Sequence, residues 1–237
     1  MAGPAGPAGP AVPEILALQR ETLSALLRPG RRLAGVKTAL LADDAQGRMG
    51  AAAPVWGWLT ADMELPDGAV LDSGAFAGIK AEAEIVFTLG ADLAGPGVTE
   101  ADVLRATAAI SAGIELPCSA RATPPASVRE FVGDNTLAAH FILGRPVLDF
   151  AGLDLSVLGA VLEVDGQVVS SGAGARALGS PARSVAWLAN AVAEMDFVLR
   201  AGMIVFTGAV AGPASVRPGQ VISADFAHLG RVGLSVV

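Results

Sequence analysis

Several residue types and motifs are scarce or missing. A single cysteine, Cys118, stands in 237 residues, which excludes an internal disulfide and any Cys-based zinc cage. The only histidines are His140 and His228, so a His-rich metal centre is excluded as well. There is no Gly-x-Ser-x-Gly elbow and no phosphate loop, and neither histidine stands near an obvious nucleophile. Ser-His-Asp chemistry is therefore not expected. Although 52% of the residues are hydrophobic, no run of about eighteen apolar residues reads as a membrane span. The N-terminus lacks the basic start and apolar block of a signal peptide, and a cytoplasmic enzyme is the expectation. A net charge of −7 argues against nucleic acid or an anionic membrane as partner. Lysine is scarce too: of 16 basic residues only Lys37 and Lys80 are lysines. A chain that uses Arg for general positive charge can keep Lys where an ammonium of adjustable pKa is needed; chance retention reads the count equally well.

Residues 1–13 are almost entirely Ala, Gly and Pro and read as a disordered tail; residues 14–237 read as one domain. Glu14 to Arg28 reads as a helix stopped by Pro29-Gly30. Leu33 to Leu41, which contains Lys37, reads as extended. Gln46 to Gly57 reads as a loop with a short helical piece, and Trp58-Leu59-Thr60 leads into another loop. Thr99-Glu100-Ala101-Asp102 is a capping-box pattern opening a helix to about Ala109. Ile110 to Leu116 reads as a strand, Pro117 to Arg129 as a loop, and His140 to Leu143 as a strand. Asp165-Gly166 between two apolar runs is a hairpin signal. Gly172 to Ala177 fits a loose dinucleotide fingerprint, but it follows a hairpin and not the first strand of a βαβ unit, so that reading is rejected. Ser180-Pro181 opens a helix extending towards Gly202. Met203–Thr207, Gln220–Phe226 and Arg231–Val237 read as strands. The expected class is α+β, with mixed, mostly antiparallel strands in a roll or sandwich and flanking helices.

The most informative stretch is Ile79 to Leu89. It alternates with period two: Ile79, Ala81, Ala83, Ile85, Phe87 and Leu89 on one face, Lys80, Glu82 and Glu84 on the other. Glu82 and Glu84 point the same way, roughly 7 Å apart at the backbone. They read either as a solvated face with Lys80 as counter-charge or as half of a hard-metal site, since Mg²⁺ and Mn²⁺ take carboxylate oxygens. Glu115 stands inside an apolar segment, where an ionised carboxylate is costly unless it is paired or bound to a metal. A salt bridge to an arginine such as Arg121 is the alternative.

These motifs join into a resemblance. Ala81-Glu82-Ala83-Glu84-Ile85, Gly97-Val98-Thr99, Glu115, Gly35-Val36-Lys37, Gly133-Asp134-Asn135, Gly172 to Ala175 and Val185 to Asn190 resemble the 2-oxo-acid hydratase and decarboxylase branch of the fumarylacetoacetate hydrolase superfamily. They do so in order, from about Leu18 to Val237. Pro54 to Thr60 with Asp67-Gly68 is similar to the 4-oxalocrotonate decarboxylases somewhat more than to the hydratases. The resemblance implies the superfamily's β-roll and a lyase that decarboxylates or hydrates a 2-oxo acid. It implies Glu82, Glu84 and Glu115 as ligands of one Mg²⁺ or Mn²⁺, a metal that stabilises an enolate, and Lys37 as general acid/base. It also implies a small-molecule substrate near Asp134, Asn135, Leu41 and Leu137, and a homo-oligomer or a complex with a related hydratase.

The chain departs from the family pattern on the substrate side. Ala39, Leu41 and Ala42 stand where the family has a glycine and a Thr-Ser pair. Cys118-Ser119-Ala120 replaces Asp-Ser-Arg, and Leu137, Ala138 and His140 replace serines and an arginine. Ser180 stands in place of the histidine of Leu-Gly-His-Pro. The pocket is therefore expected to be more apolar than is usual for the family. That leaves two alternatives: an isomerase, cyclase or C–C hydrolase acting on a larger, less polar molecule, or a non-catalytic partner subunit.

Overall fold

The computed structural model describes residues 12–120 and 123–237. The chain runs through α1 (Val12–Leu26), β1 (Leu33–Ala39), α2 (Asp43–Met49), β2 (Val55–Thr60), β3 (Glu64–Leu65), β4 (Val70–Leu71) and β5 (Gly78–Leu89). It continues through α3 (Glu100–Ala106), β6 (Thr107–Ser119), α4 (Val128–Gly133), β7 (Ala138–Leu143), β8 (Gly159–Val164) and β9 (Gln167–Ala173). It ends with α5 (Pro181–Ala193), β10 (Ile204–Phe206), β11 (Ala214–Val216), β12 (Val221–Phe226) and β13 (Gly230–Val236). None of the helices of the described residues is long and apolar enough to cross a membrane.

Two sheets form the body. The larger has the order β2-β1-β10-β5-β6-β7-β3, with β11 also on β5; the smaller has the order β4-β13-β12-β8-β9. Pairing is mostly antiparallel, with β1–β10, β3–β7 and β4–β13 parallel. The alternation of β5 decides how the sheets meet. Ile79, Ala81, Ala83, Ile85, Phe87 and Leu89 enter one hydrophobic cluster with Leu162, Ile222, Ala224, Val232 and Leu234 of the smaller sheet. Each large apolar side chain buried there contributes roughly 1.5–3 kcal/mol. The opposite face of the larger sheet carries the charged residues of β5 and then, past Glu84, a second cluster: Leu59, Met63, Val86, Phe141, Ile204 and Phe206. Phe141 and Phe206 meet edge-on there, with ring centroids 5.5 Å apart. A Cβ on Gly113 would lie 2.5 Å from Val86 Cγ2 and 2.9 Å from Phe206 Cε1, so the glycine makes room for both side chains.

Several sequence expectations change. Helix α1 starts at Val12, not Glu14, and ends at Leu26; residues 1–11 of the expected tail lie outside the described residues. Trp58 belongs to a full strand, β2. The helix of the Thr99 capping box ends at Ala106, because β6 begins at Thr107, pairs with β5 and runs on to Ser119. Part of the expected loop 117–129 is therefore strand, and α4 starts within it at Val128. Helix α5 stops at Ala193 and not near Gly202, and the Ser180 side chain makes no capping bond. The hairpin at Asp165-Gly166 forms as expected, joining β8 to β9.

Candidate metal and proton-transfer site

The site lies on the second face of the larger sheet. Glu82 and Glu84 project from β5. Glu115 projects from β6, where it is the cross-strand partner of Glu82. One carboxylate oxygen from each of the three lies within 4.8 Å of the others. Glu84 and Glu115 are fully buried and Glu82 is half-buried.

Lys37 comes from β1, which is separated from β6 by β10 and β5. In a flat sheet three strand spacings would be about 14 Å. Here Lys37 Nζ donates to Glu115 Oε2 at 3.0 Å, with both side chains buried. Register places Lys37 level with Ser111 of β6, four residues from Glu115, which adds about 13 Å along the strand, more than the two side chains can span in a flat sheet; the sheet therefore curls around the site, and the curl makes the constellation. Neighbouring bonds hold Lys37 in place. Thr38 Oγ1 lies 3.2 Å from Ser184 Oγ of α5, and Ser184 Oγ donates to the Thr207 carbonyl at 2.8 Å. On the other side, Lys37 is in register with Gly57 of β2.

The electrostatics follow from burial. Glu84 is held well above the usual carboxylate range, first by burial and then by the charges of Glu82 and Glu115. Burial also raises Glu115, to about 8, against the opposing pull of Lys37. Burial pushes the Lys37 ammonium down, but the surrounding carboxylates, Glu115 first, outweigh it and the net shift is upward. The metal-free cluster thus keeps its ammonium and retains protons on buried carboxylates. Cys118, on the same strand as Glu115, has its thiol pushed up to about 12, mainly by burial, and is not a nucleophile.

Hydrogen bonding leaves the carboxylates unfinished. Glu84 Oε2 accepts from the Gly208 N–H at 2.7 Å, while Glu84 Oε1 and Glu115 Oε1 are buried with no hydrogen-bond partner. A buried carboxylate oxygen without a donor is costly. Three converging carboxylates, two of them carrying such an oxygen, suit one divalent cation, which sits about 2.0–2.6 Å from each oxygen ligand. The donor set therefore fits a hard metal ion.

The remaining sequence candidates fall around this centre. Asn135 is buried, and both ends of its amide are spent on the backbone of Trp58: Oδ1 accepts from N at 2.8 Å and Nδ2 donates to O at 2.8 Å. Asp134 caps α4 and is half-buried, as is Leu137. Leu41 packs against Gly208, the residue whose N–H holds Glu84. Lys80 is exposed and makes no salt bridge among the described residues, which corrects its expected role as counter-charge; Lys37 fills that role. Arg121, the alternative partner for Glu115, lies outside the described residues. Three further residues at the centre are not legible as site residues in the sequence. Gly208 carries no periodic signal. Gly57 is conspicuous between two tryptophans, but its place beside Lys37 needs the strand register. Thr136 adjoins the Asp134-Asn135 motif, but its conformation could not be read from it.

Comparison with known proteins agrees with this geometry. Residues 47–237 match the family described as Fumarylacetoacetate (FAA) hydrolase C-terminal. The chain is 36% identical over 200 residues to 4-oxalocrotonate decarboxylase of Pseudomonas sp. (strain CF600), covering 84% of this chain and 76% of the relative. It is 33% identical over 216 residues to 2-keto-4-pentenoate hydratase of Paraburkholderia xenovorans (strain LB400), covering 91% and 80%. Among solved structures, 4-oxalocrotonate decarboxylase from Pseudomonas putida G7, complexed with calcium and acetate, superposes with a TM-score of 0.88 at 32% identity, over 96% of this chain and 86% of that one. The same protein complexed with magnesium and adipate gives 0.85 at 29% identity, over 98% and 100%. With a family match over residues 47–237 and relatives 33–36% identical over most of their length, the chain belongs to the fumarylacetoacetate hydrolase family.

Proposed function

We propose that the protein is a divalent-metal-dependent lyase acting on a 2-oxo acid, by decarboxylation or by hydration. The observation that carries this is the convergence of Glu82, Glu84 and Glu115 with the buried Lys37. Its support is the likeness of most of the chain to a decarboxylase and a hydratase. The three glutamates hold the ion, Mg²⁺ or Mn²⁺ by the hardness of an all-oxygen donor set. The ion supplies Lewis-acid polarisation to the carboxylate and keto oxygens of a 2-oxo acid.

The chain's own residues do the rest. Loss of CO₂ breaks a C–C bond and leaves its electron pair on the substrate, where conjugation passes it to the keto oxygen; a proton must then be delivered to carbon. Hydration needs the same kind of proton movement, with water adding to the double bond. Lys37 Nζ is the proton-carrying group within reach, and the buried surroundings of Lys37, Glu84 and Glu115 exclude bulk water. The site works on a small molecule. We further propose a cytoplasmic protein whose copies associate, alone or with a related hydratase. The exposed Val168 and Val169 on edge strand β9 support association, and light scattering of the purified protein tests it.

The functional test is to incubate the protein with 4-oxalocrotonate and with 2-keto-4-pentenoate, in Mg²⁺ and in EDTA, following CO₂ release and water addition separately. Metal-dependent turnover of either substrate is expected. Equal rates in EDTA, or none with any 2-oxo acid, would refute the reading.

A further inference from the structure

Thr136 combines three observations. Its hydroxyl is fully buried and makes no hydrogen bond. Its backbone lies in the left-handed region at φ 53°, in a run with Asn135 at 53° and Leu137 at 61°, where a β-branched residue is a genuine outlier. Strain of this kind persists where the surroundings over-determine it, and it clusters at functional sites. Here the two hydrogen bonds between Asn135 and the Trp58 backbone lock the turn onto β2.

The third observation is what the turn is aimed at. A Cβ on Gly57 would overlap Thr136 Oγ1 and would touch Lys37 Cε at 3.3 Å. The orphan hydroxyl and Lys37 Cε therefore lie within about 5.5 Å of each other, both against the space that glycine leaves at position 57. Lys37 Nζ, one bond beyond Cε, is bonded instead to Glu115 Oε2. An ion taken up beside Glu115 sets a second cation against this ammonium, and an Nζ driven off Oε2 by that repulsion needs another acceptor inside a dry site.

We propose that Thr136 Oγ1 is this second acceptor: when an ion engages Glu115, Lys37 Nζ donates to Thr136, which makes Thr136 a positioning residue for the lysine. The inference rests on Glu82, Glu84 and Glu115 being the metal ligands. It extends that reading by giving the ammonium two stations, one for the metal-free protein and one for the loaded protein.

The test is calorimetric titration of Mg²⁺ into wild type, Thr136→Val, Thr136→Ser, Lys37→Met and the double variant Lys37→Met/Thr136→Val, with kcat and KM measured alongside. Thr136→Val keeps the shape and removes the hydroxyl. It is expected to melt at or above the wild-type temperature without metal, to bind Mg²⁺ at least fivefold more weakly, and to lose kcat with little change in KM. Thr136→Ser should retain both properties. In the Lys37→Met background, where there is no ammonium to place, Thr136→Val should change Mg²⁺ affinity less than twofold. Two results would overturn the proposal: unchanged Mg²⁺ affinity in Thr136→Val, or the same loss with and without Lys37. If Thr136→Val does not fold, Thr136→Ala reads the same cycle. Failure of the wild type to bind Mg²⁺ would overturn the metal site itself, and this inference with it.

Discussion

Glu82 and Glu115 stand directly opposite each other on β5 and β6. Like charges at such a cross-strand position destabilise a sheet, and Glu84 lies on the same face of β5 two residues on. The metal-free protein relieves this by keeping protons on buried carboxylates and by drawing Lys37 in. The loaded protein relieves it with a cation. The two solutions respond oppositely to pH.

Stability without metal should therefore fall between about pH 5 and pH 8. Glu115 is raised from an unperturbed 4.5 to about 8, and Glu84 is raised well above 4.5. The folded state thus binds more protons than the unfolded one across this window, and stability drops as pH rises. Lys37, shifted up from 10.5, gives a contribution that is complete below its unfolded pKa and lost only at higher pH, so it is constant here. Mg²⁺ binding releases the retained protons and tightens with rising pH. Thermal melts in EDTA and in excess Mg²⁺ should diverge from pH 5.5 to 8. A gap that stays constant or narrows contradicts the assignment.

Glu84→Gln should separate folding from metal binding. The folded protein already favours a neutral side chain at this position, so the metal-free variant should melt within a few degrees of wild type. Mg²⁺ affinity should fall about 100-fold or more, equivalent to ~2.7 kcal/mol. Calorimetry and a melt with and without Mg²⁺ measure both quantities.

Lys37→Met should behave the other way round. The lysine moves protons and does not hold the ion, so turnover should fall about 10²–10⁴-fold while Mg²⁺ still binds. A variant that keeps wild-type kcat/KM would remove Lys37 from the mechanism.

Gly57→Ala places a methyl group 2.8 Å from the Asn135 carbonyl and on top of Thr136 Oγ1. Overpacking of this kind costs about 1–3 kcal/mol, or roughly 2–12 °C in Tm for a chain of this size. A Tm equal to wild type would mean that the Asn135–Leu137 turn is free to move.

Substrate choice should reflect the apolar rim. Leu41 packs beside Gly208 at the edge of the carboxylate cluster and cannot replace the water of a distal carboxylate, whose burial then costs several kcal/mol. With hydration as the measured reaction, a 2-oxo dienoate lacking that carboxylate should have the higher kcat/KM, and Leu41→Ser should shift the ratio towards the dicarboxylate. Preference of the wild type for the dicarboxylate would show that another group supplies the missing charge.

Much of this was legible in the sequence where local pattern and tertiary role coincide. The alternation in β5 shows which face meets the other sheet and leaves Glu82 and Glu84 together on the opposite side. The Thr99 capping box and the Asp165-Gly166 turn are local chemistry and form as read. Strand β2 was not legible because all six of its residues are buried, which erases the alternation that marks a strand. Helix α4 is only six residues long, too short for a periodic stripe. The pairing of Lys37 with Glu115 spans four strands and exists only through the curl of the sheet. The amide of Asn135 looked free to meet a substrate until the structure placed the backbone of Trp58 against it.

The crowding at Gly57 and Gly113 bears on how the protein tolerates change. A side chain at Gly57 collides with Thr136 and one at Gly113 with Val86 and Phe206, so the floor of the site is effectively frozen and a library built there would return destabilised clones. Leu41 and Leu137 are only partly buried and have room to vary. Directed evolution of new specificity should therefore accumulate substitutions at the rim and leave the carboxylate chemistry beneath it untouched.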